Sequence, residues 1–381
     1  MSRRLISLIR DIYGTKDAIP LHVPIFAGNE ATYVAETVAS TFVSSVGTYV
    51  DRFEADVAEY TGAGRAVAVV NGTAALHIGL VALGVRHGDL VLTQSLTFVG
   101  TANAIAHAGA RPVFIDVERA TLGMSPEALE DWLRTHATRD ADGTTRHQGH
   151  RIAACVPMHT FGHPARVAEI VAVCDAHGIP VLEDAAEAMG SWRGDRHCGT
   201  FGRLGALSFN GNKLITTGGG GMELANGPDG QRIKHLTTTA KRPHAYEYVH
   251  DAIGYNYRLP NINAALGCAQ MERLAEMLAI KRKLAQTYRQ ALEGSDLEFV
   301  AEPDDCRSNY WLNAVIAPDR AARDALLSET NEAGIGTRPI WRLMHHLPMY
   351  ADCPRGDLAR SEWLETRVVN LPSSVPTGWT P

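Results

Sequence analysis

AVAVVNGTAALHIGLVALGV, residues 66–85, passes from an unbroken apolar run (66–70) through a tight NGT turn (71–73) into a stretch whose apolar residues recur at helical spacing. It reads as strand, turn and helix. The same alternation recurs downstream as DLVLTQS then TFVGTANAIAHAG, RPVFIDV then SPEALEDWLRTH, AACVPMH then ARVAEIVAVCDAHG, and IPVLEDA then AEAMGS. Strands alternating with helices of this length need right-handed crossovers, which build a mainly parallel sheet with helices on both faces. The fold class is therefore α/β. Residues 138–150 read as a polar loop, and Pro24 to about Tyr60 as helices closed by glycine.

Beyond about Asn256 the texture changes. INAALGCAQMERLAEMLAIKRKLAQTYRQAL reads as long helix, followed by LEFV, WLNAVIA and a helix around ARDALLSETNEAG. This predicts a large α/β domain over 20–255 and a smaller α+β domain over 256–381, with a cleft between them. Ligands of open α/β sheets collect at the carboxyl ends of the strands, where the NGT turn, Asp184 and the 208–221 loop would lie.

With 381 residues the chain is long enough for about two domains. Its 45% hydrophobic and 20% charged residues exclude general disorder. The formal charge of −6 offers no counter-charge to a phosphate backbone or anionic lipid, so neither nucleic acid nor membrane is expected as a partner. MSRRLISLIRDIYG opens like a signal peptide, but Arg10 and Asp11 interrupt the apolar run. Residues 1–19 read instead as an amphipathic helix with Leu5, Ile6, Ile9 and Ile12 on one face, packing on the body or on a partner. Six cysteines (155, 174, 198, 268, 306 and 353) without a CxxC pair point to a reducing compartment and a cytoplasmic protein. His159 and His163 have i, i+4 spacing, but Pro164 follows and no HExxH is present, so no metal is expected.

Three features carry chemistry. SFNGNKLITTGGGG (208–221) places one lysine, Lys213, in a glycine-rich turn that lets backbone approach a ligand; alone it could equally be a solvated turn residue. Asp184 ends the strand IPVLE, where a carboxylate can face a ring nitrogen or cap the next helix. NGTAALH presents the N–H groups of Gly72 and Thr73 at a helix start, a ready phosphate site, although many such turns bind nothing. Together a lysine, a strand-end aspartate and a phosphate cradle are the three anchors of pyridoxal 5'-phosphate. There is no GxxxxGK[ST] for a nucleotide triphosphate.

NGTAAL, LTFVGTANAI, PVFIDV, VPMHTFGHP, LEDAAEAMGS, GTFGRLGALSFNGNKLITTGGGG and GYNYRLPNINAALGCAQ, in this order from about Pro20 onward, strongly resemble the DegT/StrS family of sugar aminotransferases. SSVGTYVDRFE, MHTFGHP, HLTTTAK and GYNYRLPNINAALGCAQ are most similar to its LegC-like branch, which serves legionaminic acid and related 4-amino-4,6-dideoxy sugars. The resemblance implies the fold type I architecture of pyridoxal-phosphate-dependent transferases and a homodimer with shared active sites. Lys213 matches the lysine that carries the cofactor aldehyde, and Asp184 the partner of the pyridine nitrogen. Gly72, Thr73 and Ser208 match the phosphate contacts, and Phe98 the aromatic residue that stacks on the ring. Asn256 matches an asparagine reaching the phosphate from the neighbouring subunit. Glu187 stands where many members carry glutamine near the ring hydroxyl. His159, His345, Arg338 and Trp341 are candidates for the sugar side, each of the histidines equally readable as structural.

The implied reaction moves an amino group from L-glutamate to the C4 ketone of a UDP- or GDP-linked 4-keto-6-deoxyhexose, with a 2-acetamido sugar expected, for surface glycan biosynthesis. The alternatives are a 3-aminotransferase of the same family and a non-catalytic regulator. Lys213 argues against the family's dehydratases, in which histidine replaces it.

Overall fold

The computed structural model describes residues 2–381. The sheet of the large lobe has seven strands: β1 (Arg65–Val69), β2 (Leu90–Gln94), β3 (Arg111–Ile115), β4 (His150–Val156), β5 (Leu182–Asp184), β6 (Leu204–Ser208) and β7 (Gly221–Ala225). Their spatial order is β1-β7-β6-β5-β4-β2-β3, with β5 joined to β4 by parallel bridges Cys155–Val181 and Met158–Asp184. Every pair is parallel except those made by β7, which runs antiparallel to both β1 and β6. No helix lies between β6 and β7, so the chain returns beside its own strand through the lysine loop, and the GGGG run delivers it there.

The strands are largely apolar because both faces are covered. On β1, Val67 and Val69 join one cluster with helices α4 (Gly72–Ala82), α5 (Val99–His107) and α8 (Pro228–Thr237). Ala66 and Ala68 turn to the other face, toward α3 (Thr48–Thr61) and α9 (Asn261–Glu272). Along β2 and β3, that role passes to α6 (Pro126–His136) and α7 (Val167–Ala176).

Four readings of the sequence are corrected. Residues 138–150 include a hairpin, Thr138–Arg139 paired with Thr145–His147, rather than a plain loop. AEAMGS forms consecutive turns and no helix, closed by the Ala188 N–H on the Ala185 carbonyl and the Ser191 N–H on the Ala188 carbonyl, both at 2.9 Å. Helix α2 (Glu30–Ser40) ends on Thr41 in the left-handed conformation, not on glycine. The long helix beyond 261 breaks at Arg273 (φ −106°, ψ 1°) into α9 and α10 (Leu274–Leu292).

That break separates two packing partners. Helix α9 belongs to the large lobe, where Gly267 admits Phe53: a Cβ at 267 would sit 2.8 Å from the Phe53 ring. The small lobe follows, with an antiparallel sheet in the order β8-β9-β11-β10: β8 (Glu298–Phe299), β9 (Asn313–Ile316), β10 (Arg338–Pro339) and β11 (Val368–Leu371). Helix α1 (Ser2–Tyr13) buries Leu5, Ile9 and Ile12 in that lobe against Leu284, Tyr288, Val315 and Leu326 of α10, β9 and α11 (Arg320–Glu332). Helix α12 (Ala359–Glu365) precedes β11. Among the described residues no helix is long and apolar enough to cross a membrane.

Candidate active site

The carboxyl ends of β1, β2, β5 and β6 surround one cavity of about 320 Å³, lined by Gly72, Thr73, Phe98, Asp184, Glu187, Ser208 and Lys213 among others. Two tryptophans from the small lobe, Trp311 and Trp341, close it.

At the end of β1, Asn71 caps α4: its side chain accepts the Ala74 N–H at 2.8 Å and its carbonyl the Ala75 N–H at 3.1 Å. The first-turn N–H groups of Gly72 and Thr73 have no intrahelical acceptor, and both residues line the cavity across a gap from Ser208. A Cβ at 72 would stand 2.9 Å from the Ser208 Cβ, so only glycine leaves this gap open. At the end of β5, Asp184 is 3% exposed; its Oδ2 accepts the Thr101 hydroxyl at 2.6 Å and its Oδ1 the Ala186 N–H at 3.1 Å. Burial pushes its pKa up, while Thr101, Ala186 N–H, Lys213 and His159 pull the other way. A carboxylate so enclosed calls for a cation in the cavity.

Lys213, in the loop after β6, donates to Glu187 Oε1 at 3.2 Å and lies 3.9 Å from the centroid of the Trp311 ring. The Trp311 indole N–H is anchored on the Asn212 carbonyl at 2.7 Å, so the ring is fixed beneath the lysine. Glu187 Oε2 accepts the Phe161 N–H at 2.9 Å. Burial, the largest influence, and Asp184 raise the Glu187 pKa from 4.5 to about 7 against the pull of Lys213 and Phe161 N–H. Phe98 meets Trp341 edge-on, centroids 6.3 Å apart.

Of the four sugar-side candidates, only Trp341 lines the cavity. His159 has no exposed surface: its Nε2 is 2.9 Å from Glu183 and its Nδ1 accepts the Ala165 N–H at 3.0 Å. Burial opposes its charge, but Cys198 and Glu183 raise its pKa to about 10, and its backbone N–H bonds the Asp184 carbonyl. It is a structural histidine beneath Asp184. Arg338 lies exposed on β10, held by Asn331 Oδ1 and the Thr337 carbonyl, and does not line the cavity. His345 is buried on Ser95, outside the cavity. Asn256 is exposed and accepts from Arg258; it does not line its own chain's cavity. Two neighbours of Asp184 and Lys213 escaped the sequence reading. Thr101 carries a signal, lying three residues after Phe98 at helical spacing, whereas Trp311 reaches the site only through folding of the small lobe.

Residues 24–378 match the model of the DegT/DnrJ/EryC1/StrS aminotransferase family. The chain belongs to this family. It is 40% identical over 334 residues to a protein named as a pyridoxal phosphate-dependent aminotransferase, EpsN of Bacillus subtilis, covering 87% of this chain and 84% of that one. It is 36% identical to GDP-perosamine synthase of Escherichia coli O157:H7 over 93% of both chains. The crystal structure of the aminotransferase TlmJ from Streptoalloteichus hindustanus superposes with a TM-score of 0.85 at 31% identity, covering 93% of each chain. This family member is thus an aminotransferase that uses pyridoxal 5'-phosphate. The cavity fits that cofactor: the helix start kept open by Gly72 suits the phosphate, and the enclosed Asp184 suits a protonated ring nitrogen.

Proposed function

We propose that the protein transfers an amino group from L-glutamate to the C4 ketone of a nucleotide-linked 4-keto-6-deoxyhexose, giving a 4-amino-4,6-dideoxy sugar. The observation that carries this is the convergence of Lys213, Asp184 and the open start of α4 on one cavity, in a chain related over 93% of its length to proteins named GDP-perosamine synthase in three organisms. When bound, pyridoxal phosphate supplies an electron sink for loss of the donor's α-proton. Asp184 would keep its ring nitrogen protonated. Lys213 Nζ would take the proton from the donor's α-carbon and pass it to the cofactor carbon that receives the amine. In the second half of the exchange, once 2-oxoglutarate has left, it would carry a proton from that carbon to C4 of the sugar. Glu187 Oε1 and the Trp311 ring hold Nζ in place for both transfers. Trp341 is the wall that meets the sugar, and the nucleotide is UDP or GDP. Within these products a 2-acetamido sugar of the legionaminic acid type is the LegC-like variant of the reading.

The partner of each chain is a second copy. Phe26, Phe42, Val46, Tyr246, Tyr248 and Ile253 are exposed, between 55% and 87%, and Asn256 follows them facing solvent. A symmetric dimer would cover them and bring Asn256 to the neighbour's phosphate site.

The test incubates cofactor-loaded protein with L-glutamate and a panel of UDP- and GDP-linked 4-keto and 3-keto 6-deoxyhexoses, with and without a 2-acetamido group. NMR of the product locates the amine. Amination at C4 is expected; amination at C3, or of none of the keto sugars while 2-oxoglutarate forms with other acceptors, overturns the reading.

A further inference from the structure

A second constellation lies outside the cofactor cavity, where the 344–346 turn meets α12. His345, His346 and Glu362 each present one ligand atom within 4.8 Å of the other two. His345 Nε2 stands 3.6 Å from Glu362 Oε1, close to the ~3.4 Å edge of a tetrahedron built on bonds of zinc length. From this geometry we infer that His345, His346 and Glu362 form a binding site for one divalent transition-metal ion of the zinc class.

The surroundings are those of a metal site, not of a chance cluster. Imidazoles that bind metal are oriented by a partner on the other ring nitrogen. His345 Nδ1 is engaged by Ser95 Oγ at 2.7 Å, which leaves Nε2 turned toward Glu362. His346 Nδ1 is 3.4 Å from both carboxylate oxygens of Glu365, which is itself buried and fixed by the Leu343 N–H at 3.1 Å. Two nitrogens and one carboxylate oxygen suit zinc, cobalt or nickel better than calcium or magnesium, which prefer all-oxygen sites. The cluster opens on a shallow cavity also lined by Asp357 and Arg355, which leaves room for a water or a further carboxylate as the fourth ligand. Glu362 is the mobile component: its side chain is 58% exposed and the ion would order it.

The ion would join α12 of the small lobe, through His345 and Ser95, to the segment just after β2, three residues before Phe98. It would tie the two lobes at the rim of the active site without entering it.

The test uses the full untagged chain, cofactor-loaded and stripped with a chelator, titrated with Co²⁺ and then Zn²⁺. Expected are one equivalent bound per chain, the visible absorption of tetrahedral cobalt, its displacement by zinc, and a raised unfolding temperature. His346→Ala and Glu362→Gln, each checked for native circular dichroism, should weaken cobalt binding at least tenfold. Binding of less than one equivalent to the parent chain, an octahedral cobalt spectrum, or unchanged affinity in both folded variants would overturn the assignment.

Discussion

Replacing Glu187 by Gln removes one proton equilibrium from the floor of the cavity while keeping the shape of the side chain. Glu187 is 4% exposed, and its pKa is raised from 4.5 to about 7, chiefly by burial. The native chain therefore holds this proton to higher pH than the unfolded chain does. The contribution to stability is complete below about pH 4.5 and is lost as the pH rises through about 7. Between pH 5 and pH 8 the loss integrates to about 2.5 kcal/mol. Glutamine cannot titrate, so Glu187→Gln escapes it. The amide can still accept the Phe161 N–H but no longer accepts from Lys213, an offset of about 1 kcal/mol that does not vary with pH. Urea unfolding of the cofactor-free parent and variant, at one protomer concentration and at pH 5, 6, 7 and 8, measures the difference directly. The variant should gain on the parent by about 2.5 kcal/mol from pH 5 to pH 8. A difference level to within about 0.5 kcal/mol over this range, or a change of opposite sign, would refute the reasoning, because it would mean that the carboxyl ionises in the native chain as readily as in water.

Lys213→Ala should retain pyridoxal phosphate through Asp184 and the start of α4 but lose turnover by about 10²- to 10⁴-fold; borohydride fixation of the cofactor in the parent, followed by peptide mapping, should label Lys213, and a label on another lysine would remove it from the mechanism. Asp184→Asn keeps an acceptor for Thr101 but loses the charge, so transamination should fall about 10- to 1000-fold while the unfolding temperature changes little; turnover at the parent rate would leave Asp184 only its turn-forming bond to Ala186. Glu223, on β7, is fully buried with both carboxyl oxygens unpartnered, and burial raises its pKa well above the usual range. Glu223→Met should stabilise the fold by about 1–3 kcal/mol, more at pH 8 than at pH 5 because the parent loses stability as the pH climbs above the unfolded carboxyl's pKa; urea unfolding showing a destabilised variant would contradict this. Mixing Lys213→Ala with Asn256→Asp under conditions of subunit exchange should restore part of the activity, since one site of each mixed dimer has both native residues; no recovery despite proven exchange would place Asn256 outside the partner's site.

The sequence by itself determined the elements whose signals are local. Apolar runs of about five residues followed by helical periodicity marked β1 to β5 with the helices α4 to α7 between them, and turn chemistry marked where Gly72 and Lys213 stand. The same locality identified Asp184, since a carboxylate at the end of an apolar strand needs no partner to be noticed. What only the tertiary structure decided depends on residues far apart in the chain. GMELA became an antiparallel strand because the gap between β1 and β6 had to be filled by backbone hydrogen bonds, which no periodicity within 221–225 announces. AEAMGS, helical by composition, instead forms consecutive turns that set Glu187 on Lys213 in the cavity, a placement fixed by packing at the strand ends. Arg338 and Trp341 are three residues apart and looked equivalent, yet only Trp341 faces the cavity, because strand direction and lobe packing set where each side chain goes. His159, chosen for its place in a motif, is enclosed by Glu183 and Ala165, and burial is a property of the packed chain that a single sequence does not display. Trp311 came beneath Lys213 across nearly a hundred positions of chain, a proximity created only when the small lobe closes over the strand ends.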